Sequence, residues 1–150
     1  MLLRLLPDQA ARYWDSVKAA LLAAPPPASR MTEEGLNEIL AYLLVGNMQC
    51  WVAYRKSETG PVVEGIALTT VIMDLCSKTK NLLLYCVYAY PKTEMRAWAE
   101  GRDALRKYAI SLGCANIIGY SKEERWRGVT ERLGGEIAYM IIIPCEGGGS

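Results

Sequence analysis

Apolar residues recur along this chain with two periods, near 3.6 and near 2, and each switch between them marks a new element. Residues 2–6 form an apolar run closed by Pro7, which reads as a short first strand. Residues 8–24 place Tyr13, Trp14, Val17 and Leu21 on one helical stripe, with Asp15 and Lys18 on the other side. Pro25, Pro26 and Pro27 stop that helix and continue as a stiff, extended linker. A second helix opens at Thr32, a good N-cap, and carries Leu36, Ile39, Leu40, Leu43 and Leu44 at helical spacing until Gly46 ends it.

The period then changes. Residues 48–56 read as a strand, 57–60 as a turn, and 61–75 as a longer strand dense in Val, Ile and Thr, so the two form a hairpin. The polar stretch 77–81 turns the chain into a third strand, 82–90, closed by Pro91. Thr93 is placed to cap a helix running to about Leu112, with Met95, Trp98, Leu105, Tyr108, Ala109 and Leu112 inward and Gly113 as its stop. Residues 115–120 form a short buried strand. Ser121 and Glu124 have capping-box spacing, which predicts a helix from Lys122 with Trp126, Val129 and Leu133 as a core-facing stripe and Gly134-Gly135 at its end. On this reading Trp126 is a core anchor buried against the sheet. Residues 136–143 read as a closing strand. A whole helix separates the 82–90 and 115–120 strands, so they are expected to pair in parallel through a right-handed crossover, with a cleft between their C-terminal ends.

The predicted fold class is thus α/β (α+β): a mixed central sheet in which a three-strand antiparallel meander leads into β-α-β-α-β, preceded by two N-terminal helices. At 150 residues, 51% apolar and 22% charged, the chain suits one globular domain over residues 1–146. Residues 147–150, Gly-Gly-Gly-Ser, read as a linker or tag scar. Lys plus Arg number 17 against 16 Asp plus Glu, so no net field draws the chain to nucleic acid or to an anionic membrane. No stretch approaches the ~18 apolar residues of a membrane span. The five cysteines form no C-x-x-C pair and are odd in number, which points to reduced thiols in the cytoplasm and to no metal site. Histidine is absent altogether. Ser-His and Cys-His nucleophile pairs and His-containing zinc sites are thereby excluded, leaving carboxylates, tyrosines, thiols, water or backbone amides for any chemistry.

The order strand, two helices, meander, helix, strand, helix, strand resembles GNAT-type N-acetyltransferases over nearly all of residues 1–146. The resemblance implies that the fourth and fifth strands splay apart around an acyl-CoA and that the amides opening the next helix hold its pyrophosphate, a site a helix N-terminus suits. It assigns cofactor contacts to Tyr88, Tyr90, Lys92, Thr93 and Arg96. Yet the family's Gln/Arg-x-x-Gly-x-Gly/Ala loop falls on residues 90–96, Tyr-Pro-Lys-Thr-Glu-Met-Arg, which lack glycine and bring in Glu94. Of the family's Asn-x-x-Ala-x-x-x-Tyr-x-x-x-Gly-Phe pattern only Gly134 matches: Glu123, Trp126, Thr130 and Gly135 stand at the Asn, Ala, Tyr and Phe positions. The layout Gly46-Asn-Met-Gln-Cys-Trp-Val52 with Gly65 in the next strand looks like small GNAT-like proteins of tailed phages.

Glu64 and Asp74 are the candidate general bases, since a carboxylate near the acceptor site can take a proton from an amine. The commoner role for a carboxylate near a strand end is simple solvation. Tyr120, with Tyr88 and Tyr90, is the candidate acid, against the commoner role of core or interface tyrosine. Two damaged landmarks favour a non-catalytic protein-interaction or structural module, phage-encoded and either virion-associated or host-directed, with another protein as partner, no bound cofactor and a possible homo-oligomeric state. The alternatives are an acetyl-CoA-dependent N-acyltransferase acting on an amine of a protein or small molecule, and a small-molecule binder using the same gap.

Overall fold

The computed structural model describes residues 1–89 and 93–146. In chain order the elements are β1 (Leu2–Arg4), α1 (Pro7–Arg12), α2 (Trp14–Ala23), α3 (Glu33–Val45), β2 (Met48–Ser57), β3 (Gly60–Met73), β4 (Lys80–Ala89), α4 (Met95–Ser111), β5 (Asn116–Gly119) and α5 (Arg125–Arg132). The five strands form one sheet in sequential order. Pairing is antiparallel from β1 to β4 and parallel between β4 and β5, where Asn81 to Leu84 face Asn116 to Gly119. The expected meander and parallel crossover are both present.

Alternation along the strands divides the core into two layers. Cys50 and Leu68 point to one face, where Val17 and Leu21 of α2 and Leu36, Ile39 and Leu43 of α3 close over them. Trp51 and Ala67 point to the other, beneath Leu105 and Ala109 of α4. Alternation fails once on β4. Leu68 pairs with Cys86 but Thr69 pairs with Leu84, so Tyr85 is an extra residue in a β-bulge. The bulge is why Leu84 and Val87, three apart, join the same layer while Tyr85 and Cys86 both join the other. Between the strands, Trp51 Nε1 donates to Thr69 Oγ1 at 2.9 Å, and that hydroxyl donates to Gln49 Oε1 at 2.9 Å. A buried polar group costs stability unless paired, and all three are paired.

Several elements differ from the sequence reading. The helix expected over 8–24 is two helices meeting at Tyr13 (φ −98°, ψ 17°), and Tyr13 is exposed at the joint instead of lying on the inner stripe. Thr32 caps α3 as expected, accepting from the Gly35 amide at 3.0 Å, and Gly46 ends it in the left-handed conformation (φ 84°) that glycine adopts without a Cβ clash. Thr93 does not cap α4, whose N-cap is Glu94. The capping box at Ser121 is not formed and α5 starts at Arg125. Ser121 Oγ accepts from the Glu123 amide at 3.0 Å, and Glu124 is engaged by Arg127 at 3.1 Å, which takes away the carboxylate the box requires. Trp126 is only partly covered; its ring packs edge-on against Trp98 of α4, with centroids 4.9 Å apart, and not into the sheet. Residues 136–144 form no strand. After Gly134 (φ 82°) the chain leaves the end of α5 without meeting β5, and a strand needs an edge to pair with.

Candidate functional site

β4 outruns its parallel partner. Pairing with β5 stops at Leu84, while β4 continues to Ala89, so the two strands part at their C-terminal ends. The gap opens into a cavity of about 520 Å³ between the second face of the sheet and helices α4 and α5. Ala67, Leu84 and Val87 form its floor and Trp98 and Leu105 its roof, so most of the wall is apolar. Polar groups enter at the ends: Glu64 and Tyr88 from the sheet, Arg102 and Arg106 from α4, and Thr130 from α5.

Glu64 owes its place to a second bulge. Ala53 pairs with Gly65 and Tyr54 with Val63, which leaves Glu64 as the extra residue on β3. Its Oε1 lies 3.4 Å from Arg55 Nε, and the side chain is mostly covered. The following Gly65 is required by close approach: a Cβ there would lie 2.8 Å from the carbonyl oxygen of Tyr88. Carboxylate, bulge and glycine thus let the β3–β4 edge sit tightly at the cavity wall.

Two arginines tie the helices to this site. Arg102 Nη1 donates to the Leu133 carbonyl at 3.0 Å, holding the end of α5 against α4, while its Nε donates to Asp103 at 3.0 Å. Arg125 Nε donates to Glu123 at 2.6 Å, and its Nη2 reaches the Ala89 carbonyl at 3.4 Å. Arg125 therefore straps α5 to the part of β4 that extends beyond β5. At the start of α4 the Ala97 and Trp98 amides both turn to the Glu94 carbonyl, and Glu94 makes no side-chain capping bond.

The sequence candidates are scattered. Glu64, Tyr88 and Thr93 line the cavity together. Tyr90 and Lys92 fall outside the described residues. Arg96 is exposed and faces Glu100 at 3.9 Å, away from the cavity lining. Tyr120 is exposed beyond the end of β5 and does not line the cavity. Asp74 sits in the β3–β4 turn, where its Oδ2 accepts from the Ser77 amide (2.8 Å), the Ser77 hydroxyl (2.9 Å) and the Cys76 amide (3.1 Å). The Ser77 backbone bond leads in holding that carboxyl below its usual range. The sequence marks Gly65 only as part of a family-like layout and gives no sign of a role for Arg102 or Arg106. Gly65 offered a signal, a glycine inside a β-branched run, whereas Arg102 and Arg106 have the spacing of an ordinary solvated helix face. Among the described residues no group of three or more Cys, Asp or Glu side chains is placed to hold a metal ion, and no helix is long and apolar enough to cross a membrane.

No protein-family model and no curated protein matches this chain by sequence. Solved structures do match by shape. Aminoglycoside acetyltransferase AAC(6')-Iy, in complex with the bisubstrate analogue CoA-S-monomethyl-acetylneamine, superposes with a TM-score of 0.68 at 14% identity, over 97% of each chain. The fold is that of a GNAT-type N-acetyltransferase. The same GNAT fold relates the chain to a predicted acetyltransferase from Clostridium acetobutylicum with acetyl-CoA (TM-score 0.65, 15% identity, 96% and 94% coverage). It also relates it to the aminoglycoside 6'-N-acetyltransferase AAC(6')-Ih of Acinetobacter baumannii (0.67, 10%, 99% of both). β4 and β5 part where the resemblance leads one to expect a gap, and Thr130, which stands at the expected tyrosine position, lines the cavity there.

Proposed function

We propose that the cleft binds an acyl-CoA and that the protein is an N-acyltransferase acting on an amine, with Glu64 as general base. The observation that carries this reading is the parting of β4 from β5 onto a mostly apolar cavity with Glu64 at its sheet end. Beyond Leu84, β4 is paired with β3 on one side only, and its other side offers backbone groups to an extended amide-bearing chain, as a sheet edge does. Arg102 and Arg106 supply positive charge at the rim, and the first-turn amides of α4 favour an anion. Glu94 at the mouth of that helix opposes phosphate, so binding is expected to be weak. When bound, the thioester would supply an activated acyl group.

The chain's part is then to accept a proton and to orient the amine. Glu64, fixed by the bulge and by Arg55, takes the ammonium proton so that the nitrogen lone pair is free to form the C–N bond as the C–S bond breaks. The departing thiolate takes the second proton released from the nitrogen, relayed through water or Tyr88, since Thr130 is a poor acid. The five free cysteines suit a reducing compartment, and we assign the protein to the cytoplasm.

Titration calorimetry with acetyl-CoA and an acceptor-dependent thiol-release assay test this. Saturation at ~100 times Kd adds about 2.7 kcal/mol, visible as a raised Tm. Glu64→Gln should lower kcat by ~10²–10⁴ with KM for acetyl-CoA little changed. Absence of both binding and thiol release would defeat the proposal.

A second reading is favoured by Arg125, whose bond to the Ala89 carbonyl occupies the free edge of β4. On that reading the domain is a non-catalytic protein-interaction or structural module of the kind phages encode. A stoichiometric protein complex without acetyl-CoA binding would support it.

A further inference from the structure

Charge at the sheet end of the cavity is set against one kind of acceptor and in favour of another. Among the described residues Glu64 is the only carboxylate lining the cavity, and the other charged lining groups are Arg102 and Arg106. Glu64 is already matched, since its Oε1 faces Arg55 Nε at 3.4 Å. A polycation needs a carboxylate for each ammonium group it buries, and unmatched like charges work against it. The chain shares its fold with aminoglycoside acetyltransferases, but its own wall gives a polycation one carboxylate, and that one is taken.

The Arg55–Glu64 pair has the form of a receptor for a zwitterion. Its separation is longer than the ~2.7–2.9 Å of a tight charge-assisted bond, and the Arg55 side chain is 57% exposed against 21% for Glu64. An ion pair so open to water adds little to stability. It does hold a positive and a negative group side by side, within the short span that separates ammonium from carboxylate in an amino acid. A bare amine must draw Glu64 from Arg55 and leave the guanidinium unmatched. An amino acid answers both halves of the pair at once, its ammonium on Glu64 and its carboxylate on the planar fork of Arg55. Beside Glu64, Gly65 pairs with Ala53 and Ala53 with Leu2, and all three line the cavity, so the surface next to the pair is apolar.

We propose that the acyl acceptor is a small zwitterionic amine, an amino acid with an apolar side chain, and that Arg55 is the residue that selects it. The transfer step rests on the acyltransferase reading. In it the C–N bond forms as the C–S bond breaks, and the ammonium gives up two protons, one through Glu64 to water and the other to the departing thiolate. The product, an N-acyl amino acid, keeps its carboxylate but loses the positive charge that faced Glu64. It is therefore held less well than the substrate, which favours release.

The probes are apolar amino acids, each matched with the amine its decarboxylation leaves, beginning with leucine and isopentylamine, and kanamycin as the polycation. Calorimetry on the protein alone should show leucine binding that is at least ~10-fold weaker in Arg55→Gln and partly restored in Arg55→Lys. With acetyl-CoA, kcat/KM for leucine should exceed that for isopentylamine at least ~10-fold, and the ratio should fall to about 1 in Arg55→Gln. An Arg55 that only positioned Glu64 would lower both rates together and leave the ratio unchanged, which would overturn the proposal. Equal or faster turnover of isopentylamine or kanamycin would also overturn it, while leaving the acyltransferase reading in place. Arg55-dependent leucine binding without any acetyl-CoA binding has the reverse meaning: the zwitterion site stands and acyl transfer falls. Neither binding nor turnover of any apolar amino acid would remove the site itself.

Discussion

Helices α1 to α3 and helices α4 to α5 cover opposite faces of the same sheet with unequal amounts of side chain. Beneath the first group Val17, Leu21, Leu36 and Leu68 are almost wholly buried, and Cys50 and Cys86 lie among them. Beneath the second group only Leu105 and Ala109 of the two helices are buried, α5 buries nothing, and about 520 Å³ stands open. Interiors normally pack to crystal-like density, so the layer that does so carries the stability and the layer that does not is the one with room for a ligand. Arginine anchors substitute for packing on the open side. Arg102 to Leu133 and Arg125 to Ala89 hold α5 by side chain to main chain bonds where the other face uses interlocking aliphatic groups.

Thiol chemistry gives the widest separation between the faces. Burial pushes the Cys50 and Cys86 thiols up from 9.0 to about 12, with the neighbouring Cys50 adding to the effect on Cys86. Their thiolate fraction at pH 8 is therefore lower by ~10³, and a thiol reagent should label Cys76 and Cys145 at once, Cys114 in the cavity wall next, and Cys50 and Cys86 only on unfolding. Rapid labelling of Cys50 in the native protein would show that the filled face is not filled. The sign at high pH follows from the raised values: stability from these buried neutral thiols is complete below pH 9.0 and is lost as pH rises towards about 12.

Truncation in the two layers should differ next. Leu21→Ala is expected to cost ~3–5 kcal/mol, whereas Leu105→Ala, beside a void its neighbours already border, should cost about 2, both read from urea midpoints. Equal costs would remove the contrast. On the open side, a double-mutant cycle on Trp98 and Trp126 should return a coupling of ~0.5–1.5 kcal/mol, the value of an edge-on aromatic pair. No coupling would mean that α5 is held by its arginines alone.

The smallest effect lies outside both layers. Asp74 has a depressed carboxyl pKa, so its contribution is present above the unfolded value and disappears as pH falls through the folded one. Asp74→Asn should therefore be slightly less stable at neutral pH and indistinguishable from wild type in strong acid.

Much of the architecture was legible because it rests on periodicity and punctuation. The hairpin turn at 57–60, the stop at Gly46 and the helix between parallel strands each have local chemical causes, and all are present. What escaped depends on partners distant in sequence. Nothing near Tyr85 signals a bulge, because a bulge is a disagreement between two strands, and at Glu64 the neighbouring Gly65 is the one local sign. The capping box was lost to Arg127, and Trp126 found Trp98 before it found the sheet. The site divided the same way. Glu64, Tyr88 and Thr93 converge on the cavity because strand ends and the crossover fix their positions, while Asp74 was drawn into a turn by its own neighbours.

The chain from Trp51 through Thr69 to Gln49 also constrains how this sequence can drift. Thr69 Oγ1 receives one proton and gives one, so its role is directional. Valine has the same shape but would orphan an indole N–H and an amide oxygen together, and serine alone among the other residues keeps both bonds. Positions 49, 51 and 69 form a single inherited unit: descendants of this chain should retain all three or exchange all three for apolar residues, with few surviving intermediates between those two solutions.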